Sequence, residues 1–121
     1  MPIQHILLVD DSKTELAYLS DLLTKRGFTV RTAENGDEAM KRLAEGKPDL
    51  ILMDVVMPGT NGYQLTRTIT RDSRYSDIPV IMCTSKGQET DRVWGLRQGA
   101  RDYVVKPVDT DDLMNKIKAL G

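Results

Sequence analysis

The chain has 121 residues, enough for one domain with a core of its own and no need of disulfides or a structural metal as staples. Its 17 Lys+Arg against 18 Asp+Glu leave a formal net charge of -1, which excludes a basic footprint for nucleic acid or an anionic membrane. The single cysteine, Cys83, excludes an internal disulfide.

The start, MPIQHILLVDD, lacks the basic opening and long apolar region of a secretory signal, so the expected compartment is the cytoplasm. No apolar run approaches the ~20 residues that span a bilayer.

The first predicted strand is HILLV (5–9), followed by helical spacing at Leu16, Leu19 and Leu23. FTVRT (28–32) is the second, followed by Ala39, Met40 and Leu43. DLILM (49–53) precedes Leu65 and Ile69, PVIMC (79–83) precedes Val93 and Leu96, and DYVV (102–105) precedes Leu113, Ile117 and Leu120.

Ser12 with Glu15, and Asn35 with Glu38, have capping-box spacing, while Gly27, Gly46 and Gly99 stand where helices should end. Strands apolar on both faces that alternate with helices specify a doubly wound α/β domain, its parallel sheet covered on each side and joined by right-handed crossovers. No linker, repeat or low-complexity run interrupts the pattern. The expectation is a single domain over 1–121 with no output domain.

In such a sheet, ligands bind beyond the carboxyl ends of the strands. Strand 1 ends in Asp10 and Asp11, strand 3 in Asp54, strand 4 in Thr84, and strand 5 in Lys106 followed by Pro107. Any one acid there would ordinarily be a turn former or a helix cap. Three on one rim repel each other and raise one another's pKa, and one lysine cannot neutralise them all.

A divalent cation can. Mg²⁺ prefers hard oxygen ligands and is typically held by one or two carboxylates, waters and phosphate oxygens. Asp10, Asp11 and Asp54 are therefore candidate metal ligands, and Lys106 and Thr84 suit a phosphate bound beside the metal. Asp54 could itself be the nucleophile and form an aspartyl phosphate, with Mg²⁺ and Lys106 offsetting charge on the equatorial oxygens.

These residues sit in the motifs LLVDDS (7–12), ILMDVVMPGTNG (51–62), VIMCTS (80–85) and ARDYVVKPV (100–108). In order and spacing the set resembles a response-regulator receiver domain over essentially the whole chain. The resemblance implies the flavodoxin-like receiver fold, five parallel strands in the order 2-1-3-4-5. It implies that Asp54 accepts a phosphoryl group from a histidine kinase and that Asp11 and Asp54 ligate Mg²⁺ directly. Asp10 would act largely through coordinated water, the backbone carbonyl of Val56 would complete the metal's protein ligands, and the Lys106-Pro107 peptide would be cis.

Thr84 and Tyr103 resemble the family's switch pair, in which the hydroxyl moves to the phosphoryl group and the ring turns inward. The plainer reading of Tyr103 is an edge-strand aromatic that packs. The switch would alter the surface of helix 4, strand 5 and helix 5 and so its affinity for a downstream protein. Single-domain members in chemotaxis and type IV pilus (twitching) systems work this way. The expectation is a monomer or weak dimer that contacts neither nucleic acid nor membrane.

Other functions fit less well. A phosphatase of the haloacid-dehalogenase type commonly needs an acid two residues after its nucleophile, and Val56 stands there. A flavin carrier needs a Ser/Thr/Gly-rich loop after strand 1, where DDSKTE puts two anions. A receiver-like adaptor that never accepts phosphate has no need of five intact site residues. A phosphate sink for a shared kinase stays open as the alternative to signal output, and in either role the protein is a phosphoacceptor rather than an enzyme.

Val56 and Lys86, two beyond the acceptor and two beyond the switch hydroxyl, offer no obvious way to orient a water, so self-dephosphorylation is expected to be slow to moderate. Pro58 and Gly59 interrupt any helix after strand 3, which lets the loop turn back towards the metal. His5 lies at the strand's amino end, opposite the site, and Cys83 reads as a small core residue. Trp94 either packs on the sheet or belongs to a soft helix 4, since Gly95 inside that helix costs roughly 1 kcal/mol relative to Ala.

Overall fold

Apart from a short ribbon between the third strand and the third helix, strand and helix alternate along the computed structural model, which describes residues 2–57 and 59–121. The elements are β1 (His5–Val9), α1 (Lys13–Lys25), β2 (Thr29–Ala33), α2 (Gly36–Glu45), β3 (Leu50–Met53), the two-residue strands β4 (Val56–Met57) and β5 (Thr60–Asn61), α3 (Gly62–Arg71), β6 (Val80–Thr84), α4 (Glu89–Arg97), β7 (Asp102–Val105) and α5 (Thr110–Leu120). The main sheet is parallel throughout, in the order β2-β1-β3-β6-β7. With the antiparallel β4–β5 ribbon set aside, this is the expected 2-1-3-4-5.

The sheet's period of two sorts the apolar residues into two layers. Ile6, Leu8, Leu50, Leu52, Ile81 and Val104 meet Leu16, Leu19 and Leu23 of α1 and Leu113 and Ile117 of α5. Leu7, Val9, Ile51, Met53, Val80 and Met82 meet Ala39 and Leu43 of α2 and Leu65 and Ile69 of α3. Burying each such large side chain contributes about 1.5–3 kcal/mol, so the helical stripes dictate which helix covers which face.

Register sets where the strands end. Val9 of β1 pairs with Ala33 and with Met53 of β3, so Asp10 and Asp54 leave the sheet side by side. Their backbone N–H groups continue the ladders, to the carbonyls of Ala33 and Val9 at 3.0 and 2.9 Å. Three strands differ from the predicted bounds by one residue, β2 at 29–33, β3 at 50–53 and β6 at 80–84, because pairing with a neighbour rather than propensity decides the ends.

The helix caps follow the sequence in outline. Ser12 Oγ accepts the Glu15 N–H at 3.2 Å, and Asn35 Oδ1 accepts the Glu38 N–H at 2.9 Å. The carboxylate of Glu38 takes the N–H of Glu34, one residue before the cap. Gly99, just past α4, has φ +109°, a left-handed conformation that favours glycine.

Helix α4 departs from expectation. Its spacing predicts Val93 and Leu96 as the inward face, yet Val93 is exposed, Leu96 is half-buried and Gly95 is the buried residue. The reading of Trp94 as an indole packed on the sheet fails, since that side chain is 50% exposed. The cause is close approach: a Cβ on Gly95 would lie 3.2 Å from two ring carbons of Tyr103 and 3.4 Å from Met82 Cγ. Among the described residues, no helix is long and apolar enough to cross a membrane.

Candidate functional site

The expected residues meet at the carboxyl edge of the sheet. Asp10 follows β1 and is buried, Asp11 beside it is exposed, Asp54 follows β3 and is buried, and Thr84 closes β6 with no exposure. Lys106 follows β7, and the Lys106-Pro107 peptide is cis. One carboxylate oxygen from each of Asp10, Asp11 and Asp54 lies within 4.8 Å of the others.

Lys106 joins this cluster from 96 positions beyond Asp10 in the chain. Its Nζ donates to Asp10 Oδ2 at 2.6 Å and lies 3.9 Å from Asp54 Oδ1. The other Asp10 oxygen accepts the Ser12 N–H at 2.9 Å, which ties the acid to the start of α1. Asp54 Oδ1 accepts the N–H of Val55 at 2.9 Å.

Electrostatics follow from this crowding. Burial, then the charge of Asp10, raises the Asp54 pKa above the usual carboxylate value, while Lys106, the Val55 N–H and the Thr84 hydroxyl pull it down. Burial pushes the Lys106 ammonium down, but the Asp10 hydrogen bond and the charges of Asp54 and Asp10 outweigh it and leave its pKa raised. Three carboxylates against one ammonium leave two negative charges uncompensated. An all-oxygen donor set with surplus negative charge fits a hard divalent cation such as Mg²⁺.

Next to the acids, Thr84 and Tyr103 both engage the backbone of Lys86. Thr84 Oγ1 accepts the Lys86 N–H at 3.4 Å, and the Tyr103 hydroxyl donates to the Lys86 carbonyl at 2.7 Å. The Tyr103 ring is buried, and that burial, followed by the neighbouring Tyr63 hydroxyl, raises its phenol pKa well above the usual value. The inward ring matches the plainer reading of Tyr103 as an edge-strand aromatic that packs, and one inward position does not by itself show a switch.

The remaining candidates are placed as follows. Val56, the first residue of β4, is 56% exposed, and Lys86 is exposed between β6 and α4. His5 is exposed at the opposite end of β1. Cys83 is buried, and burial pushes its thiol up to about 12. Pro58 lies outside the described residues, while Gly59 turns the β4–β5 ribbon with φ +69°.

Sequence reasoning missed Gly62 and Tyr63. Gly62 packs directly on the backbone of Asp54, and the buried Tyr63 hydroxyl donates to the Asp91 carbonyl of α4 at 3.2 Å. The available signal was Asn61-Gly62 just ahead of a helix, since Asn61 is the N-cap of α3 and accepts the Tyr63 N–H at 2.8 Å.

Comparison with known proteins agrees with this geometry. The family model described as a response regulator receiver domain matches residues 6–118. Protein PilH of Pseudomonas aeruginosa is 54% identical over 116 residues, covering 96% of each chain. The phosphate regulon transcriptional regulatory protein PhoB of Escherichia coli is 41% identical over 117 residues, 97% of this chain but 51% of PhoB, so the chain spans about half of that relative.

Among solved structures, a putative response regulator from Chloroflexus aurantiacus superposes with a TM-score of 0.91 at 31% identity, covering 99% of this chain and 98% of that one. Chemotaxis protein CheY4 of Vibrio cholerae gives a TM-score of 0.90 at 28% identity, covering 98% of this chain and 99% of its own. With a receiver model matched from β1 into α5 and an acidic rim at the family's strand exits, this chain belongs to the response regulator receiver family.

Proposed function

We propose that this protein is a stand-alone response regulator whose Asp54 accepts a phosphoryl group from a histidine-kinase phosphohistidine and whose output is a protein contact. The observation that carries the reading is the convergence of Asp10, Asp11, Asp54, Thr84 and Lys106, from four different strands, on one rim. The buried Asp54 carboxylate attacks phosphorus, the bond from phosphorus to the donor imidazole nitrogen breaks, and the electron pair leaves with the imidazole. Lys106, 3.9 Å from Asp54 Oδ1, is within reach of a phosphoryl oxygen on that carboxylate, and Thr84 offers a hydroxyl donor.

Mg²⁺, held by Asp11 and Asp54 with Asp10 through water and the Val56 carbonyl, would supply the positive charge that offsets the phosphoryl oxygens. The protein assists its own phosphorylation without turning over a substrate, so the reading is not of an enzyme. Contact energy between phosphate and Thr84 favours one of two pre-existing arrangements, and the face of α4, β7 and α5 reads out the change to a downstream protein. Similarity to PilH and to CheY4 supports a place in pilus motility or chemotaxis.

The same reading makes the protein a single receiver domain over 1–121, cytoplasmic, and a monomer or weak dimer. Val56 and Lys86 favour a transmitter over a phosphate sink, because an apolar side chain and a cation bring no carboxylate or amide to orient an attacking water and a drain needs rapid loss. The test is acetyl phosphate with Mg²⁺, followed by intact-mass measurement. The parent gains one phosphoryl group and Asp54→Asn does not; equal labelling of the two overturns the reading.

A further inference from the structure

Helix α4 has little apolar area to hold it. Gly95 is its buried residue, while Val93 and Trp94 are 38% and 50% exposed. What grips its N-terminal end is a pair of phenols from neighbouring elements. The Tyr103 hydroxyl of β7 donates to the Lys86 carbonyl at 2.7 Å, and the Tyr63 hydroxyl of α3 donates to the Asp91 carbonyl at 3.2 Å. The segment that enters α4 is thus pinned at both ends, by two buried rings whose hydroxyls stand beside each other.

Tyr63 is also joined to the acceptor without slack. A Cβ on Gly62 would sit 2.0 Å from the Asp54 carbonyl oxygen and 2.7 Å from Val55 Cα, so the two backbones are in direct contact. The Gly62 N–H donates to the Val55 carbonyl at 2.8 Å, and Asn61 fixes the next N–H, that of Tyr63. A shift of the backbone at Asp54 and Val55 is carried through this contact into the first turn of α3, and from there through a phenol to α4.

We infer that Tyr63 is a second positioning residue of the switch, a phenolic clasp that couples the backbone of Asp54 to α4 through α3 and meets Tyr103 only at the segment that both phenols hold. Its signalling consequence rests on the phosphoacceptor reading of Asp54. The clasp itself does not.

Tyr63→Phe removes the hydroxyl and keeps the ring, and Tyr18→Phe removes an exposed phenol from α1 as the control. Native-state hydrogen exchange, read over residues 86–97 and 110–120, compares both variants with the parent. One net hydrogen bond lost from a locally opening segment speeds exchange by about fivefold. That acceleration is expected over 86–97 in Tyr63→Phe, with 110–120 and the Tyr18→Phe protein unchanged.

The comparison is then repeated with acetyl phosphate and Mg²⁺. Tyr63→Phe is expected to take up the phosphoryl group as the parent does while losing at least half of the parent's phosphorylation-dependent change in α4 exchange. Unaltered exchange in unphosphorylated Tyr63→Phe overturns the clasp, and an undiminished response to phosphorylation overturns the coupling. A parent that takes up no phosphoryl group overturns the acceptor reading instead, and the phosphate-free comparison still decides the clasp.

Discussion

Replacing Gly62 with alanine puts a methyl group where backbone already stands. The new carbon would lie 2.0 Å from the Asp54 carbonyl oxygen, 2.7 Å from Val55 Cα and 2.9 Å from the Asp54 carbonyl carbon. Non-bonded carbons prefer about 3.5–4.0 Å, and because the clashing atoms are main chain, no rotamer change relieves them. Overpacking typically costs about 1–3 kcal/mol, and a rigid backbone neighbour puts Gly62→Ala near the upper end, about 3 kcal/mol.

With an unfolding entropy of about 2.1 cal/mol/K for each of 121 residues, each kcal/mol moves the midpoint by about 4 °C. The expected fall is therefore about 12 °C, measured by circular dichroism on heating and checked by urea unfolding. Gly46→Ala is the control, since a Cβ there would meet the Arg31 guanidinium only at 4.0 Å and its φ of 174° is ordinary extended backbone. The control should stay within about 2 °C of the parent; a Gly62→Ala protein that does the same refutes the close approach.

Three further outcomes are expected. Mg²⁺ at ten times its dissociation constant should add ~1.4 kcal/mol of stability, and Asp11→Ala should abolish most of that gain; no thermal shift in the parent removes the metal assignment. The phosphoryl group on Asp54 should outlast seconds in a partner-free decay assay with Mg²⁺, because apolar Val56 and cationic Lys86 bring no carboxylate or amide to orient a water; complete loss within seconds contradicts this. Asp49 accepts the N–H groups of His5 and Gln4 at 2.9 Å, and the His5 bond is the main cause of its lowered pKa. Its stabilisation is present above the ordinary carboxylate pKa and is lost as pH falls through the lower folded value, so Asp49→Asn should melt lower at neutral pH yet lose less on acidification. Parallel melting curves for the two proteins between neutral and strongly acidic pH would rule it out.

The sheet, its two covered faces and the acidic rim were legible in the residues alone, and for a local reason. Burial on both faces writes continuous apolar runs such as LILM, helices write stripes such as Leu16, Leu19 and Leu23, and a parallel sheet must bring strand exits to one edge. Once the strands were placed, the grouping of Asp10, Asp11 and Asp54 followed. The family motifs added the cis Lys106-Pro107 peptide, which no local pattern encodes.

Tertiary structure decided what depends on the distance between elements far apart in the chain. Lys106 pairs with Asp10 across 96 positions, and Tyr63 reaches Asp91 across 28. The inward face of α4 is set by how closely it approaches Tyr103, so Gly95 is buried although the apolar spacing names Val93 and Leu96. Hydrophobic period reports that a side chain is buried, whereas docking distance decides against what. That second quantity makes Gly62 indispensable and turns Tyr63 from a core aromatic into a link between the acceptor and α4.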